Sequence, residues 1–306
     1  MSKTTLICLS DIHWSHTAPS ARTNEPDWYA AMASQLRELA DFWRSVGHPP
    51  IAMAGDLFDR WNPPIQLVNF ICPKLLEYFG KDTIFAIPGQ HDLPFHSISQ
   101  IEKSAYWNLV QNEAIRDISG RKLSNGELTL YGFEWNSSEI RSKKPNSGPG
   151  QHVVLCHRYA FSNKSQCYHG ADISQTYSTH GFEGFDLLHY GDNHIRWSAP
   201  GVVNPGTFYT RYKNDVGQRC GAYCLREDGT TYEWEVKDTG VINEYTQSIA
   251  DCVPEVEADT NKVLSMLEDL KVTSADPRDY INKLLETSTV SDAIKQRIRE
   301  IMETAK

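Results

Sequence analysis

The sequence predicts an α/β fold: a mostly parallel sheet with helices on both faces, followed by a small helical module at the C-terminus. Three observations predict it. Short apolar runs of strand length alternate with longer segments of helical periodicity. Five of the runs end in polar blocks rich in Asp, His and Gly. Beyond about Val256 the alternation stops, and the pattern is helical only.

Taken in order, Thr4–Leu9 is a strand, apolar and short. A polar loop, Trp14 to Pro26, follows it. A helix then starts near Asp27, a good N-cap residue. Trp28, Met32, Leu36, Leu39, Trp43 and Val46 recur at three- or four-residue spacing and mostly share one face. Gly47-His48-Pro49-Pro50 stops that helix. Strand Ile51–Ala54 comes next, then a helix over Ile65–Phe79, where Pro73 is expected to kink or break it. Strand Thr83–Ile87 and a helix over Ile98–Val110 complete the first half. Further strands are predicted at Leu128–Phe133, His152–Leu155 and Asp186–Tyr190. Cys220–Leu225 and Thr230–Val236 alternate like a hairpin, and the Asp-Gly in Glu227-Asp228-Gly229 is a turn signal. Helices are predicted over Asp259–Val272, Pro277–Glu286 and Val290–Thr304. Leu264, Leu267 and Leu270 form one apolar stripe, and Ile281, Leu284 and Leu285 another. The reading is a domain over residues 1–240 and a helical module over 255–306.

Composition narrows the class. The chain has 306 residues, 40% hydrophobic and 23% charged, which is ordinary for a globular protein. No apolar run approaches the roughly 18 residues that span a membrane. The run after Met1-Ser2-Lys3 is too short for a signal peptide, so the chain is read as cytoplasmic, with no membrane partner. Seven cysteines and no C-x-x-C point to reduced core thiols, not a disulfide framework or a zinc site. A net charge of −9 disfavours a protein that coats nucleic acid but not a nuclease. Bound divalent ions dominate local electrostatics, and part of the acidic excess is the ligand set itself.

The chemistry lies in the five blocks: Asp11-Ile12-His13, Gly55-Asp56-Leu57-Phe58-Asp59, Gly89-Gln90-His91-Asp92, Cys156-His157-Arg158 and Gly191-Asp192-Asn193-His194. Ligands of open α/β sheets bind in the crevice at the carboxyl ends of strands. Five strand ends therefore deliver Asp11, His13, Asp56, Gln90, His91, His157, Asp192 and His194 to one place. That is the donor supply of a dinuclear metal centre. Arg60, Trp61, Arg158, Arg196 and Trp197 follow the blocks and are expected to rim the cleft. Arginine would pair with phosphate and tryptophan would stack on bases. Residues 136–150 read as a mobile loop whose Arg141, Lys143 and Lys144 are solvated or touch a substrate backbone. His169 and His180, in the irregular segment 162–184, read as surface or hydrogen-bonded histidines.

The order of the blocks resembles the calcineurin-like metallophosphoesterases, whose pattern runs D-x-H, G-D-x-x-D, G-N-H-D/E, a lone His after a strand, then G-H-x-H. The resemblance covers roughly residues 4 to 210. Asp11-Ile12-His13, Gly55-Asp56-Leu57-Phe58 and Asn204-Pro205-Gly206-Thr207 look most like the SbcD-type DNA-repair nucleases, and among them the phage- and prophage-borne members. Such a protein would work in the host cytoplasm.

The resemblance implies an αββα sandwich of two sheets flanked by helices. It implies that Asp11, His13, Asp56 and His194 hold one ion, and Asp56, Gln90, His157 and Asp192 the other. Asp56 bridges in that scheme, since a carboxylate can bind two ions and a neutral imidazole cannot. His91 would face the scissile phosphate as the catalytic group, with Asp92 orienting it and Asp59 bracing the Asp56 loop. Gln90 stands where the family usually has Asn, and Asp192 where it usually has the first His of the last motif. Both keep an oxygen donor, so the second site should be hard: Mn²⁺ is expected first, with Mg²⁺, Fe²⁺ and Zn²⁺ as alternatives. DNA ends are the implied substrate, and an SbcC-like coiled-coil ATPase is the implied partner, docked on residues 255–306. That module reads equally as a cap or a homodimer surface. Two readings compete: a phosphatase or phosphodiesterase acting on nucleotides or phosphoproteins, and a scaffold whose altered site binds metal poorly.

Overall fold

Two six-stranded sheets stack face to face in the computed structural model, which describes residues 2–135, 149–167, 184–237 and 240–243. The first sheet is built from β1 (Thr4–Leu9), β2 (Ile51–Ala54), β3 (Ile84–Ile87), β4 (Arg116–Asp117), β11 (Gly221–Arg226) and β12 (Thr231–Glu235). Its order is β12-β11-β1-β2-β3-β4, parallel from β1 to β4 and antiparallel at the hairpin side. The second is built from β5 (Lys122–Ser124), β6 (Leu128–Gly132), β7 (Gln151–His157), β8 (Leu187–Gly191), β9 (Trp197–Ala199) and β10 (Val202–Asn204). Its order is β5-β6-β7-β8-β10-β9, parallel from β6 to β10.

Strand alternation produces the layers. On β1, Leu6 and Cys8 face the second sheet, while Ile7 and Leu9 face the helices. On β7, Val153 and Leu155 point inward and Val154 and Cys156 outward. Each fully buried aliphatic side chain contributes about 1.5–3 kcal/mol of transfer free energy, so the inter-sheet layer holds the strand ends firmly. The helices α1 (Trp28–Ser45), α2 (Ile65–Phe79) and α3 (Ala105–Gln111) all pack on the outer face of the first sheet. Helices on both faces of one sheet are thus replaced by helices on one face and a second sheet on the other, as the resemblance implied.

Local chemistry explains most boundaries. The Asp27 carboxylate accepts from the Ala30 amide at 2.9 Å and caps α1. Pro73 lies inside an unbroken α2. The helix expected over Ile98–Val110 is divided: a 3₁₀ stretch, Ile98–Lys103, precedes α3. Ser104 stands extended between them, and its hydroxyl caps α3 through the Trp107 amide. In the hairpin, the Asp228 carboxylate accepts from the Thr230 amide at 2.9 Å. The short strands β4, β5, β9 and β10 carry too little pattern to be read from sequence. Among the described residues, six cysteines are free thiols. No helix among the described residues is long and apolar enough to cross a membrane.

The chain divides into two units, Met1–Tyr245 and Thr246–Lys306. The expected C-terminal helices lie outside the described residues, as do Arg141, Lys143, Lys144, His169 and His180.

His189, on β8, is fully buried, and burial pushes its imidazole down to about 3. The folded protein thus keeps it neutral, while the unfolded chain takes up a proton near pH 6.5. Stability from this group is complete above about 6.5 and falls as pH drops below it, by about 2 kcal/mol at pH 5. His189→Leu is expected to flatten the acid limb of stability, measured by urea unfolding between pH 7.5 and 5. Parallel curves for variant and wild type would show that His189 is not the group that titrates.

Candidate metal centre

The loops leaving β1, β2 and β3 in one sheet, and β7 and β8 in the other, meet at one edge of the sandwich. Beyond their last paired residues the first two loops still run together. The amides of Asp11, His13 and Trp14 donate to the carbonyls of Gly55, Asp56 and Leu57 at 3.1, 2.9 and 2.7 Å. This turns Asp11, His13 and Asp56 toward one point, at the cost of left-handed backbone at all three (φ 50°, 50° and 52°). Asp192 is left-handed too, at φ 82°. Such non-glycine conformations cost about 1–3 kcal/mol each and gather at functional sites.

The crowding leaves no room for side chains at two glycines. A Cβ on Gly89 would lie 2.2 Å from the Asp56 Oδ1. One on Gly55, at φ +85°, would lie 2.3 Å from the His157 Nδ1.

At the centre is the Asp56 carboxylate, fully buried. Its Oδ1 accepts the His91 amide at 2.9 Å. Its Oδ2 lies 3.4 Å from the His157 Nε2, 3.6 Å from the His13 Nε2 and 4.0 Å from the His91 Nε2. None of these approaches satisfies it, and Asp56 Oδ2 is a buried oxygen without a hydrogen bond. The His157 Nε2 and Gln90 Oε1 are buried and unpartnered as well. On the other side, the His13 and His194 Nε2 atoms face each other at 3.1 Å, each 3.9 Å from the Asp11 Oδ1.

Electrostatics supports the same picture. Burial pushes the Asp11 carboxyl up to about 7, and the Asp56 and Asp192 carboxylates add to that shift. Carboxylates crowded in a dry site call for a cation. Burial, with the positive Arg211 nearby, holds His13 well below the ordinary imidazole range and His194 down to about 4. Both rings are thus neutral, and each keeps one ring nitrogen with a lone pair. His157 goes the other way: the Asp56, Asp11 and Asp192 carboxylates outweigh burial and hold its proton. Convergent carboxylate, imidazole and amide donors with orphaned buried atoms fit divalent ions. Asp11, His13 and His194 could hold an ion, as could Asp11, Asp56 and His157, or His13, Asp56 and His91.

Gln90 and Asp192 arrive together. The Gln90 amide donates to the Asp192 Oδ1 at 2.7 Å, and that oxygen lies 4.0 Å from the His157 Nε2. The Asp192 amide donates to both Asp11 carboxylate oxygens at 3.1 Å.

Neither bracing carboxylate plays the part expected of it. Asp92, fully buried, accepts from the amides of Leu57, Phe58 and Gly89 at 3.1, 3.0 and 3.0 Å, so it holds the Asp56 loop. His91 is oriented instead from residue 59: its Nδ1 donates to the Asp59 backbone carbonyl at 2.9 Å. The Asp59 carboxylate pairs with Arg211. The reason is reach, since the Asp92 side chain turns back onto its own 3₁₀ turn.

Of the rim residues, Arg60 and Arg158 are exposed. Arg196 is not at the rim: its side chain is 5% exposed and donates to the carbonyls of Pro205, Ala222 and Trp234. Trp197 is core, its indole bonded to the Ala160 carbonyl at 3.0 Å. Arg196 turns onto the β11–β12 hairpin, and Trp197 opens β9 and packs in the outer layer of the second sheet.

Sequence reasoning missed Arg211, which is 1% exposed and spans 152 residues to reach Asp59. No local signal marks it, because its partner is remote. It also missed Asn193, whose amide bonds the carbonyls of Ala160 and Gln166 and fixes the turn between Asp192 and His194. The Asn204 amide ties down the same turn through the carbonyls of Asn193 and Ile195.

No curated protein matches the chain. Among solved structures it is similar to a dimetal phosphatase from Danio rerio, at 10% identity and a TM-score of 0.45, over 74% of this chain and 93% of that one. The calcineurin-like phosphoesterase family model matches residues 4–197, a span that includes every block described above. The chain belongs to the calcineurin-like phosphoesterase family, and it is a metal-dependent phosphoesterase hydrolase.

Proposed function

We propose that the protein is a two-ion phosphodiesterase that hydrolyses DNA near its ends, in the manner of SbcD-type nucleases. The observation that carries the reading is the Asp56 Oδ2, buried without a hydrogen bond among three imidazoles at 3.4–4.0 Å. Asp11, His13, Asp56 and His194 would hold one ion, and Asp56, Gln90, His157 and Asp192 the other. Two bound divalent ions lower the pKa of a shared water and take up charge on the attacking and leaving oxygens of a phosphodiester.

The side chains do the rest. Because a carbonyl only accepts, the His91 Nδ1 carries a proton, and the Nε2 is left to face the cleft. With Nδ1 held as a donor, Nε2 accepts in the neutral ring, and only the doubly protonated ring would donate from Nε2 to a phosphoryl or leaving oxygen. Half-exposure keeps that ring within reach of a bulky substrate. Arg60 and Arg158, exposed beside the blocks, would pair with flanking phosphates. The apolar stripes of residues 255–306 are proposed as the dock for a coiled-coil ATPase or a second copy. The resemblance to phage-borne nucleases supports action in the host cytoplasm.

The test is cleavage of linear plasmid beside bis-p-nitrophenyl phosphate and p-nitrophenyl phosphate. Activity on the first two, requiring Mn²⁺ and abolished by EDTA, is expected. Calorimetry on metal-free protein should give two Mn²⁺ per chain. Exclusive turnover of the monoester would replace the nuclease reading with a phosphatase. Full activity with zinc and none with manganese would overturn the inference from the oxygen donors of Gln90 and Asp192.

A further inference from the structure

We infer that Trp61 and Phe95 form a shelf on which an unpaired nucleobase stacks while a phosphate of the same strand lies at the metal centre. This rests on the phosphodiesterase reading above and names the form of substrate it takes. The two segments that fix His91 each supply one ring. One is the exit from β2, where the Asp59 carbonyl binds the His91 Nδ1 and Trp61 follows two residues later. The other is the chain after β3, where Phe95 follows His91 by four residues across consecutive 3₁₀ turns, Gln90–Asp92 and Pro94–His96. The rings meet at 5.9 Å between centroids with a 45° tilt.

Phe95 is 78% exposed, more than any other large hydrophobic among the described residues. Single exposed apolar residues are common, but two features set this one apart. Its backbone and that of His96 are left-handed, at φ 51° and 55°, which holds the ring out of the core at a conformational cost. A second aromatic pair begins at the next residue, where His96 meets Trp135 edge-on at 5.7 Å. Arg60, exposed and adjacent to Trp61, offers a cation for the phosphate next to a stacked base.

An exposed aromatic face, here that of Phe95 flanked by the tilted Trp61 ring, suits a π-face beside a phosphate-cleaving site. Bases inside a duplex have both faces covered, so the shelf selects a frayed or single-stranded end. Base–aromatic stacking changes little between bases, and the preference should be for structure, not sequence.

The experiment is fluorescence anisotropy on the full chain with Ca²⁺ present, using labelled oligothymidylate and a closed dumbbell duplex of equal charge. Wild type should bind the single strand more tightly than the dumbbell. Phe95→Ala should weaken single-strand binding about tenfold, and Phe95→Tyr should restore it. Equal affinity of wild type and Phe95→Ala, or equal affinity for strand and dumbbell, overturns the shelf. Turnover of bis-p-nitrophenyl phosphate by wild type tests the phosphodiesterase reading separately. If that turnover is present while Phe95→Ala binds normally, the shelf alone fails.

Discussion

Replacing His91 with alanine is expected to lower phosphodiester cleavage by about 10²–10⁴-fold while both ions stay bound. The argument is one of position. His91 is the most exposed imidazole of the site, with a side chain 46% exposed against 1% for His13 and 0% for His157. It follows a donor residue but is anchored by its own ring to a backbone carbonyl, at 2.9 Å. An imidazole held at Nδ1, with Nε2 toward the cleft, is arranged to take up a proton on Nε2 and, once doubly protonated, to give it to a phosphoryl or leaving oxygen. The rival is geometric too, since the His91 Nε2 lies 4.0 Å from the Asp56 Oδ2 and close enough to His13 to share an ion. Elemental analysis of the variant decides. Two ions with lost turnover support the catalytic role; one ion makes His91 a ligand.

Most of this site is legible in the sequence because each element that builds it is short-range. A strand ends, a polar block follows, and the sheet brings the blocks together. Asp11, His13, Asp56, His157 and His194 converge as that rule requires. What escapes are relations that span the chain. Gln90 and Asp192 read as two separate departures from a family pattern, yet they lie in one hydrogen bond at 2.7 Å, 102 residues apart. The longer Gln side chain reaches the shorter Asp, and its own oxygen stays buried without a hydrogen bond. The parts of Asp59 and Asp92 were likewise beyond sequence reasoning, because both sit in turns whose direction only tertiary contacts set. Arg196 and Trp197 failed as rim residues for a related reason. A residue just after a ligand block need not share its direction once a new strand, here β9, begins. In the fold, long periodic segments such as α1 and α2 were readable. The pattern over Ile98–Val110 was not read as divided, because Ser104 is a cap in structure but only a polar residue in sequence.

Asp56→Asn is expected to reduce metal binding to one weakly held ion at most and to remove turnover. Outer partners of metal ligands cost about 10–100-fold in affinity when replaced, and a bridging carboxylate should cost more. Asparagine keeps the shape and one carbonyl oxygen, so it can still accept the His91 amide that Oδ1 now takes at 2.9 Å. It lacks the second anionic oxygen, the Oδ2 that stands 3.4 Å from the His157 Nε2 and 3.6 Å from the His13 Nε2. A proton count gives an independent readout. In the metal-free protein the Asp56 carboxylate is foremost in holding the His157 proton, and that proton must leave before Nε2 can ligate. Metal binding to wild type should therefore release protons near neutral pH, and affinity should rise as pH rises. In the variant that proton is held less tightly, and both effects should shrink. Calorimetry in buffers of different ionisation enthalpy measures the release directly. Two ions bound by Asp56→Asn with unchanged affinity and unchanged proton release would mean that Asp56 does not bridge, and that the two sites are built on Asp11 instead.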